Sequence, residues 1–574
     1  MTSQTAIAPH LRKYVVEQDY PAYTARDQAV WRFAVRHGHA RLREIAHPAY
    51  ATGFAAAGIS TESIPTLRDM HARLSEVGFG VVCVDGFIPP RVFQAFQARG
   101  ILPVAADVRT AAHLTYTPAP DIIHEAAGHA PFLPHPAYAR FLRRIGAVSE
   151  QAFENSHDRA LYEAIYALSE LKERPHSSLA EVTAAESALL ALQLAPAVPS
   201  EAARMARLYW WTVEYGLVGT LRDYRLYGAG LLSSVGEAHS CFNPRVQKLP
   251  LSADCVNQDY DITRAQPRLF VARDFGHLDE VLCQVESTLS HVRGGEASLA
   301  EAKASGDLAH VTLDSGFGVV GVVDSFDDAS VTLTGPCAFT ERGMLWPSVF
   351  PRPERTLLAL GTLQDGTPLS ALTCAQVRQS VAHGRLLWLT RAGLRIEGKL
   401  EAIHERAGRA AWLLLRELRV ARGGALLFQM SGSHPLLLAE RVITSTPVIP
   451  DGYHAATPFP EGVVPRPCQR DAAELQRIDM HRRLAGLRTE PTIAVSHREL
   501  ISLHQVLRDN HPNEWLLRVN LLEVLARSEP RSAALVRLVE QELERLEQHF
   551  KGREPIAMAL RELRKARDGS AVTE

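Results

Sequence analysis

The chain has no Cys-x-x-Cys pair. Its seven cysteines, Cys83, Cys241, Cys255, Cys283, Cys337, Cys374 and Cys468, are odd in number and scattered, which excludes a zinc knuckle or dithiol redox site and fits a reducing cytoplasm. It has no surplus of positive charge. With 62 Lys and Arg against 64 Asp and Glu, the net charge of -2 argues against a nucleic-acid partner, since phosphate binding rests on an excess of cations. It also has no run of 18 or more apolar residues, and its N-terminus, MTSQTAIAPHLRKYVVEQD, carries no secretory signal; a soluble protein with no membrane partner is expected. Hydrophobic residues at 46% and charged residues at 22% leave room neither for long disorder nor for a fibrous fold. No internal repeat is evident.

At 574 residues the chain exceeds a single core, and two to four domains are expected. Residues 24–240 read mainly as helices, opening with YTARDQAVWRFAVRHGHARL, where apolar residues recur every three or four. IPTLRDMHARLSEVGFG predicts a short helix stopped by the Gly78 to Gly80 turn, and VVCVDGFIPP a short strand running into a rigid loop. Ala-rich helices follow from 147 to 207, broken near Pro175 and Pro196 to Pro199. After about 262, segments such as HVTLDSGFGVVGVVDSFDDASVTLTG predict strands, and TPVIPDGYHAATPFPEGVVPRP a linker. Helices resume near 470. The expected architecture is therefore multidomain: a mainly α unit at 1–262 with a helical insertion at about 150–195, a β-rich module at 263–455 and a helical region at 466–574.

The chemistry concentrates in YTPAPDIIHEAAGHAPFLPHP, which sets His124 and His129 five residues apart. Two neutral imidazoles form half of a site for iron(II) or zinc. In an ideal α-helix five residues turn about 500°, so the two rings would splay by about 140°. The i, i+4 pair of a zinc protease would diverge by only about 40°. Gly128 predicts a locally widened turn or a helix end that restores convergence. Far downstream, Glu214 is the lone charge in the apolar LYWWTVEYGLVGTL. A buried carboxylate needs a cation or strong donors, and a metal is one such partner. Two histidines and one carboxylate make the facial triad of non-heme iron oxygenases, which leaves positions for dioxygen and substrate. For the histidines taken as a pair, an ordinary helix surface remains the competing explanation.

Three blocks, TPAPDIIHEAAGHAP, LYWWTVEYGLV and YGAGLLSSVGE, resemble the tetrahydropterin-dependent aromatic amino acid hydroxylases, with weaker similarity at YTARDQAVW and GFGVVCVDGFIPPRVF. Together they cover most of residues 23–240. The resemblance implies the family's catalytic fold, a mostly helical basket around iron(II), with His124, His129 and Glu214 as ligands. It aligns Phe93 with the aromatic that stacks on the pterin, Gly86, Phe87, Ile88 and Pro90 with the loop that wraps it, and Glu125 with the acid that contacts it through water. Arg109 and Asp121 correspond to the pair that grips the substrate carboxylate, a match that suits the planar fork of a guanidinium. Thr117 and Trp210 match other substrate positions, and Ser233 the hydroxyl that orients an iron-bound histidine. The implied reaction uses iron(II), O2 and tetrahydropterin, either tetrahydrobiopterin or a related pterin, to hydroxylate an aromatic amino acid in the cytoplasm. Phenylalanine is the expected substrate, on the strength of Tyr209 and Trp210 ahead of Glu214.

The chain departs from this family in three ways. The 84 residues between His129 and Glu214 exceed the family's usual spacing, so 150–195 looks like an insertion that covers the pocket or serves an interface. Tyr215 stands where the family usually has phenylalanine. The similarity begins near residue 23, leaving no N-terminal regulatory domain, and more than 300 residues follow the catalytic blocks without a metal or nucleophile constellation. A hydroxylase of tryptophan or another aromatic, a zinc hydrolase and a regulatory binding protein are the alternatives.

Overall fold

The computed structural model describes residues 7–86, 88–114, 121–173, 177–260, 265–346, 352–448, 471–489, 497–526, 533–549 and 554–570. The first long helix, α1 (Ala25–Ile45), starts with a reciprocal cap: Thr24 Oγ1 accepts from the Asp27 N–H and Asp27 Oδ2 accepts from the Thr24 N–H. α2 (Leu67–Ser75) is capped by Thr66 and stops ahead of Gly78, whose φ of +80° favours glycine. The chain then enters β1 (Gly80–Val84), which pairs in parallel with β2 (Ile101–Ala105), and α3 (Pro90–Ala98) crosses between them. Proline at the first turn of α3 costs no hydrogen bond, because that N–H has no partner within a helix.

α4 (Pro136–Ser149), α5 (Ser156–Glu173), α6 (Leu179–Leu194) and α7 (Glu201–Tyr209) follow; the last two breaks fall at the expected places, and the break between α4 and α5 falls inside the stretch expected to be helical from 147. After α7 come β3 (Leu217–Gly219), β4 (Tyr224–Leu226), the short α8 (Ala229–Ser233), β5 (Gln247–Pro250) and β6 (Arg268–Ala272). The four strands form one sheet in the order β4-β3-β6-β5.

β6 corrects the expected start of the β-rich part. Leu269, Phe270 and Val271 pack in the same apolar core as α1, and so do Phe275, Leu278 and Leu282 of α9 (Phe275–Glu286). The strand-rich region begins at Leu308 rather than at 263. Five residues such as RLFVA reveal a strand but not its partner, and β6 pairs backward in the sequence.

From Leu308 the longer strands along the main path of the sheet are β7 (Leu308–Leu313), β8 (Phe317–Phe326), β9 (Ser330–Glu341), β10 (Arg355–Leu360), β11 (Arg385–Leu389), β12 (Leu394–Arg406), β13 (Arg409–Arg422), β14 (His434–Ala439) and β15 (Val442–Pro447), with Ala425–Met430 pairing beside β13 and two-residue strands at Met344–Leu345 and Val381–Ala382. They align as β11-β12-β13-β14-β10-β9-β8-β7-β15. The central strands serve two cores at once. In β14, Leu437 and Ala439 point into one cluster and Leu436 and Leu438 into another, and β10 divides Leu358 and Leu360 from Leu357 and Ala359 in the same way. Burial on both faces explains continuous apolar runs where one-sided strands would alternate.

Most of the expected linker lies outside the described residues; its first residues close β15. The C-terminal helices are α10 (Ala472–Thr489), α11 (His497–Asn510), α12 (Trp515–Leu525), α13 (Ala533–His549) and α14 (Glu554–Ser570). α12 is buried nearly all round and joins the core of α1, with Trp515 edge-on to Phe33 at 5.1 Å between ring centroids. Ion pairs line this junction: Arg26 to Glu474 at 2.9 Å, Arg32 to Glu523 and His37 to Glu562. Because α1 also packs against α8 and the segment carrying His124, one continuous core links the C-terminal helices to the candidate site.

Candidate metal centre

The awkward spacing of His124 and His129 is resolved by winding. Ile123–His129 is a π-helix, whose i→i+5 bonding widens the turn enough to bring residues five apart onto one face. The third candidate ligand ends a second π-helical segment, Trp210–Glu214, which continues α7. Gly128 lies in this widened turn, as expected, and has a second role: a Cβ there would lie 2.7 Å from the Ala229 carbonyl oxygen, so glycine is needed for the close approach of α8.

The three side chains converge. His124 Nε2 lies 3.2 Å from Glu214 Oε2, and His129 Nε2 lies 3.2 Å from Glu214 Oε1. The imidazole centroids are 4.9 Å apart with nearly perpendicular planes. One ligand atom from each of the three residues falls within 4.8 Å of the others. Ser233 fixes the tautomer of His124. Its hydroxyl donates to the Ala229 carbonyl at 2.8 Å, so toward His124 Nδ1, 3.0 Å away, it acts as acceptor. Nδ1 then carries the proton, leaving the Nε2 lone pair directed at Glu214.

His129 is wholly buried, and neither ring nitrogen has a hydrogen-bond partner among the described residues. Burying such groups costs free energy that a shared cation recovers. Burial by itself would raise the Glu214 carboxyl; positive charge on His129 and His124 outweighs it and holds the carboxyl well below the usual carboxylate range, and with the imidazoles neutral that counter-charge falls to a bound cation. The donor set, two imidazoles and one carboxylate, fits the iron(II) that the sequence implies.

Around this triad runs a closed hydrogen-bond ring. Asp121 accepts from Arg109 Nε at 2.9 Å and Nη2 at 2.7 Å, and from the His124 N–H at 2.9 Å. Arg109 Nη1 donates to the Ser233 carbonyl at 3.0 Å. The residues expected to grip substrate are thus tied to the residues expected to hold metal. Both Arg109 and Asp121 are buried, and Asp121 stays below the ordinary range because Arg109 and backbone donors overcome the burial penalty.

The other predicted residues have distinct placements. The Phe93 ring is half-buried, 6.1 Å from the His129 ring. Glu125 is buried with Oε2 3.7 Å from His129 Nε2; burial, reinforced by Glu214 and opposed by His129, pushes its carboxyl up to about 8. Gly86 has a φ of +59°, Ile88 packs its side chain with Leu11 and Phe96, and Pro90 is exposed at the start of α3. Trp210 stacks on Tyr260 at 4.3 Å and on Tyr215 at 4.7 Å. Phe87 and Thr117 lie outside the described residues.

Two groups escaped the sequence reading. Gln97 donates to the Tyr209 hydroxyl at 2.7 Å, bracing a ring that stands edge-on to Phe93. Glu237 is buried, accepts from the Gln266 N–H at 3.2 Å and hydrogen-bonds Tyr215; burial wins over both, pushing its carboxyl up to about 7. The reasoning that singled out Glu214, one acid in an apolar stretch, applies equally to Glu237 in YGAGLLSSVGE.

The profile of the biopterin-dependent aromatic amino acid hydroxylases matches residues 5–168 and 178–292, so it covers most of the stretch at 150–195 expected to be an insertion and leaves out 169–177. The phenylalanine-4-hydroxylase of Dictyostelium discoideum is 29% identical over 229 residues, covering 40% of this chain and 42% of that protein. That of Ralstonia nicotianae is 28% identical over 226 residues, covering 39% and 58%, so the chain spans about half the length of these two relatives. The Pseudomonas aeruginosa phenylalanine-4-hydroxylase is 26% identical over 279 residues, covering 47% and 86%. Among solved structures, phenylalanine hydroxylase from Chromobacterium violaceum superposes with a TM-score of 0.37 at 25% identity, covering 48% of this chain and 86% of that one. Through residues 5–168 and 178–292, this chain belongs to the biopterin-dependent aromatic amino acid hydroxylase family.

Proposed function

We propose that the protein is a pterin-dependent monooxygenase that hydroxylates the ring of an aromatic amino acid, with L-phenylalanine to L-tyrosine as the reaction. The observation that carries this reading is the convergence of His124, His129 and Glu214 beside the Arg109–Asp121 pair. His124, His129 and Glu214 would hold iron(II), which with tetrahydropterin supplies the chemistry that activates O2. The chain's own contribution is placement. Arg109 spends three of its five N–H groups on Asp121 and Ser233, leaving two for the substrate carboxylate. By the family resemblance, Phe93 would offer a face to the pterin ring, Gly86, Phe87, Ile88 and Pro90 would help hold it, and Glu125 would contact it. By the same resemblance, Trp210 and Thr117 would contact the substrate. Ser233 keeps His124 in the tautomer that binds metal through Nε2.

Tyr215 favours a second substrate reading. Its hydroxyl, hydrogen-bonded to Glu237, adds polarity beside the stacked ring of Trp210, which would suit a substrate ring with an N–H such as tryptophan. Iron(II)-loaded protein given tetrahydropterin, O2 and each of phenylalanine, tyrosine and tryptophan separates these readings by chromatography of the products. Tyrosine from phenylalanine is expected. Product from tryptophan alone moves the assignment to the second reading, and no pterin-coupled product from any of the three refutes both.

A further inference from the structure

The burial of Gln97 is at odds with its chemistry. Its primary amide is wholly enclosed on α3, beside the buried Val92, Ala95 and Phe96 of the same helix. Nε2 donates to the Tyr209 hydroxyl at 2.7 Å, and Oε1 has no partner among the described residues. An amide half satisfied in a core adds little net stability, and an apolar side chain of the same length would fill the place about as well. What the single bond does supply is direction, because a hydrogen bond fixes distance and angle where apolar packing does not.

That bond joins two elements carrying different parts of the site. Phe93 and Gln97 stand four residues apart on one face of α3, and both meet Tyr209: Gln97 at the hydroxyl, Phe93 edge-on to the ring with centroids 6.5 Å apart. Tyr209 ends α7 and leads directly into the π-helical segment Trp210–Glu214, which closes on Glu214. Phe93 in turn lies 6.1 Å from the His129 ring. Elsewhere α3 is pressed on α4, where a Cβ on Gly146 would come within 2.6 Å of the Gln94 carbonyl oxygen. With α3 set against α4, the bond from Gln97 to Tyr209 is a directional tie between α3 and the helix that bears Glu214.

We propose that Gln97 is a positioning residue: through Tyr209 it holds the helix of Phe93 at a set distance from the segment of Glu214, and so fixes where a pterin on Phe93 lies relative to a metal on Glu214. This role presupposes the function proposed above, with Phe93 facing the pterin and His124, His129 and Glu214 holding iron(II). Placement of that kind decides what becomes of O2. In the coupled reaction tetrahydropterin gives up two electrons and two protons, one oxygen atom enters the ring of the amino acid and the other leaves as water. With pterin, metal and amino acid out of register, the same two electrons and two protons reduce O2 to H2O2 and the amino acid is left unchanged.

Gln97→Leu, Tyr209→Phe and the double variant, each as the iron(II)-loaded full chain, test this by the hydroxylated product and H2O2 formed per tetrahydropterin oxidised, with the amino acid that yields product. Each single variant should lower product per pterin by about twofold or more, with H2O2 making up the difference and KM for the pterin raised. The double variant should couple no worse than either single one, because both changes remove the same bond. It should also keep the wild-type melting temperature and KM for the amino acid, since no buried polar group is left facing a lost partner. A double variant that couples as the wild type does, single effects that add, or coupling lost only together with melting temperature overturns the proposal. A wild type that oxidises no pterin with phenylalanine, tyrosine or tryptophan refutes the function beneath it as well, an outcome distinct from an active wild type whose variants are unchanged.

Discussion

Among single residues, Ser233 carries more than its place in a Gly-rich segment suggests. Its carbonyl receives Arg109 and its hydroxyl receives His124, so one residue positions both the guanidinium proposed to bind substrate and an imidazole proposed to bind metal. Ser233→Ala is expected to lower iron(II) affinity by about 10- to 100-fold with an unchanged circular dichroism spectrum; equilibrium titration of the variant against wild type measures this. Arg109→Lys keeps the charge but loses the fork that engages Asp121 at two points, so KM for the amino acid should rise well above any fall in kcat. Glu214 was legible in the sequence as a lone acid among apolar neighbours, whereas Arg109 and Ser233 came only from the family resemblance, since by themselves they read as a surface residue and part of a turn. Their connections were not legible at all. Which atom of Ser233 meets which partner depends on contacts more than a hundred residues away, and nothing local in LLSS records them.

Among elements, the two π-helical segments are what convert sequence spacing into a site. A five-residue interval looks wrong for an α-helix and becomes right in a wider one, so the apparent defect in the motif was itself the signal. The widened turn at Gly128 was readable, but its second constraint was hidden, because that comes from the Ala229 carbonyl. Gly128→Ala should force the π segment and α8 apart at a cost of about 1–3 kcal/mol, read as a lower denaturant midpoint together with weaker metal binding. Helix identities and breaks between 24 and 240 were readable from periodicity and proline positions, whereas the pairing of β6 with β3 and β5 was not, since parallel partners are chosen by tertiary packing.

At the scale of the whole molecule, the C-terminal helices share the core of α1 and its ion pairs, although composition suggested a separate region. Glu523→Ala leaves the buried Arg32 without its closest carboxylate and should destabilise the fold by about 3 kcal/mol, checked by urea unfolding. Two buried histidines away from the metal make stability pH-dependent. Burial lowers His434 to about 4, and burial with Arg26 and Arg477 nearby lowers His481 to about 3, from an unfolded value near 6.5. Below 6.5 the unfolded chain takes up protons that these native histidines refuse. Stability is therefore full above that pH and falls as pH drops toward 4, by about 1.4 kcal/mol per unit for each histidine. Urea midpoints at neutral and mildly acidic pH should differ accordingly, and equal midpoints would contradict this. The central claim is that His124, His129 and Glu214 together hold one iron(II). Anaerobic iron(II) titration of the full chain and of Glu214→Ala tests it most directly: one tight equivalent for the wild type and none for the variant are predicted, and equal binding by both would contradict the account.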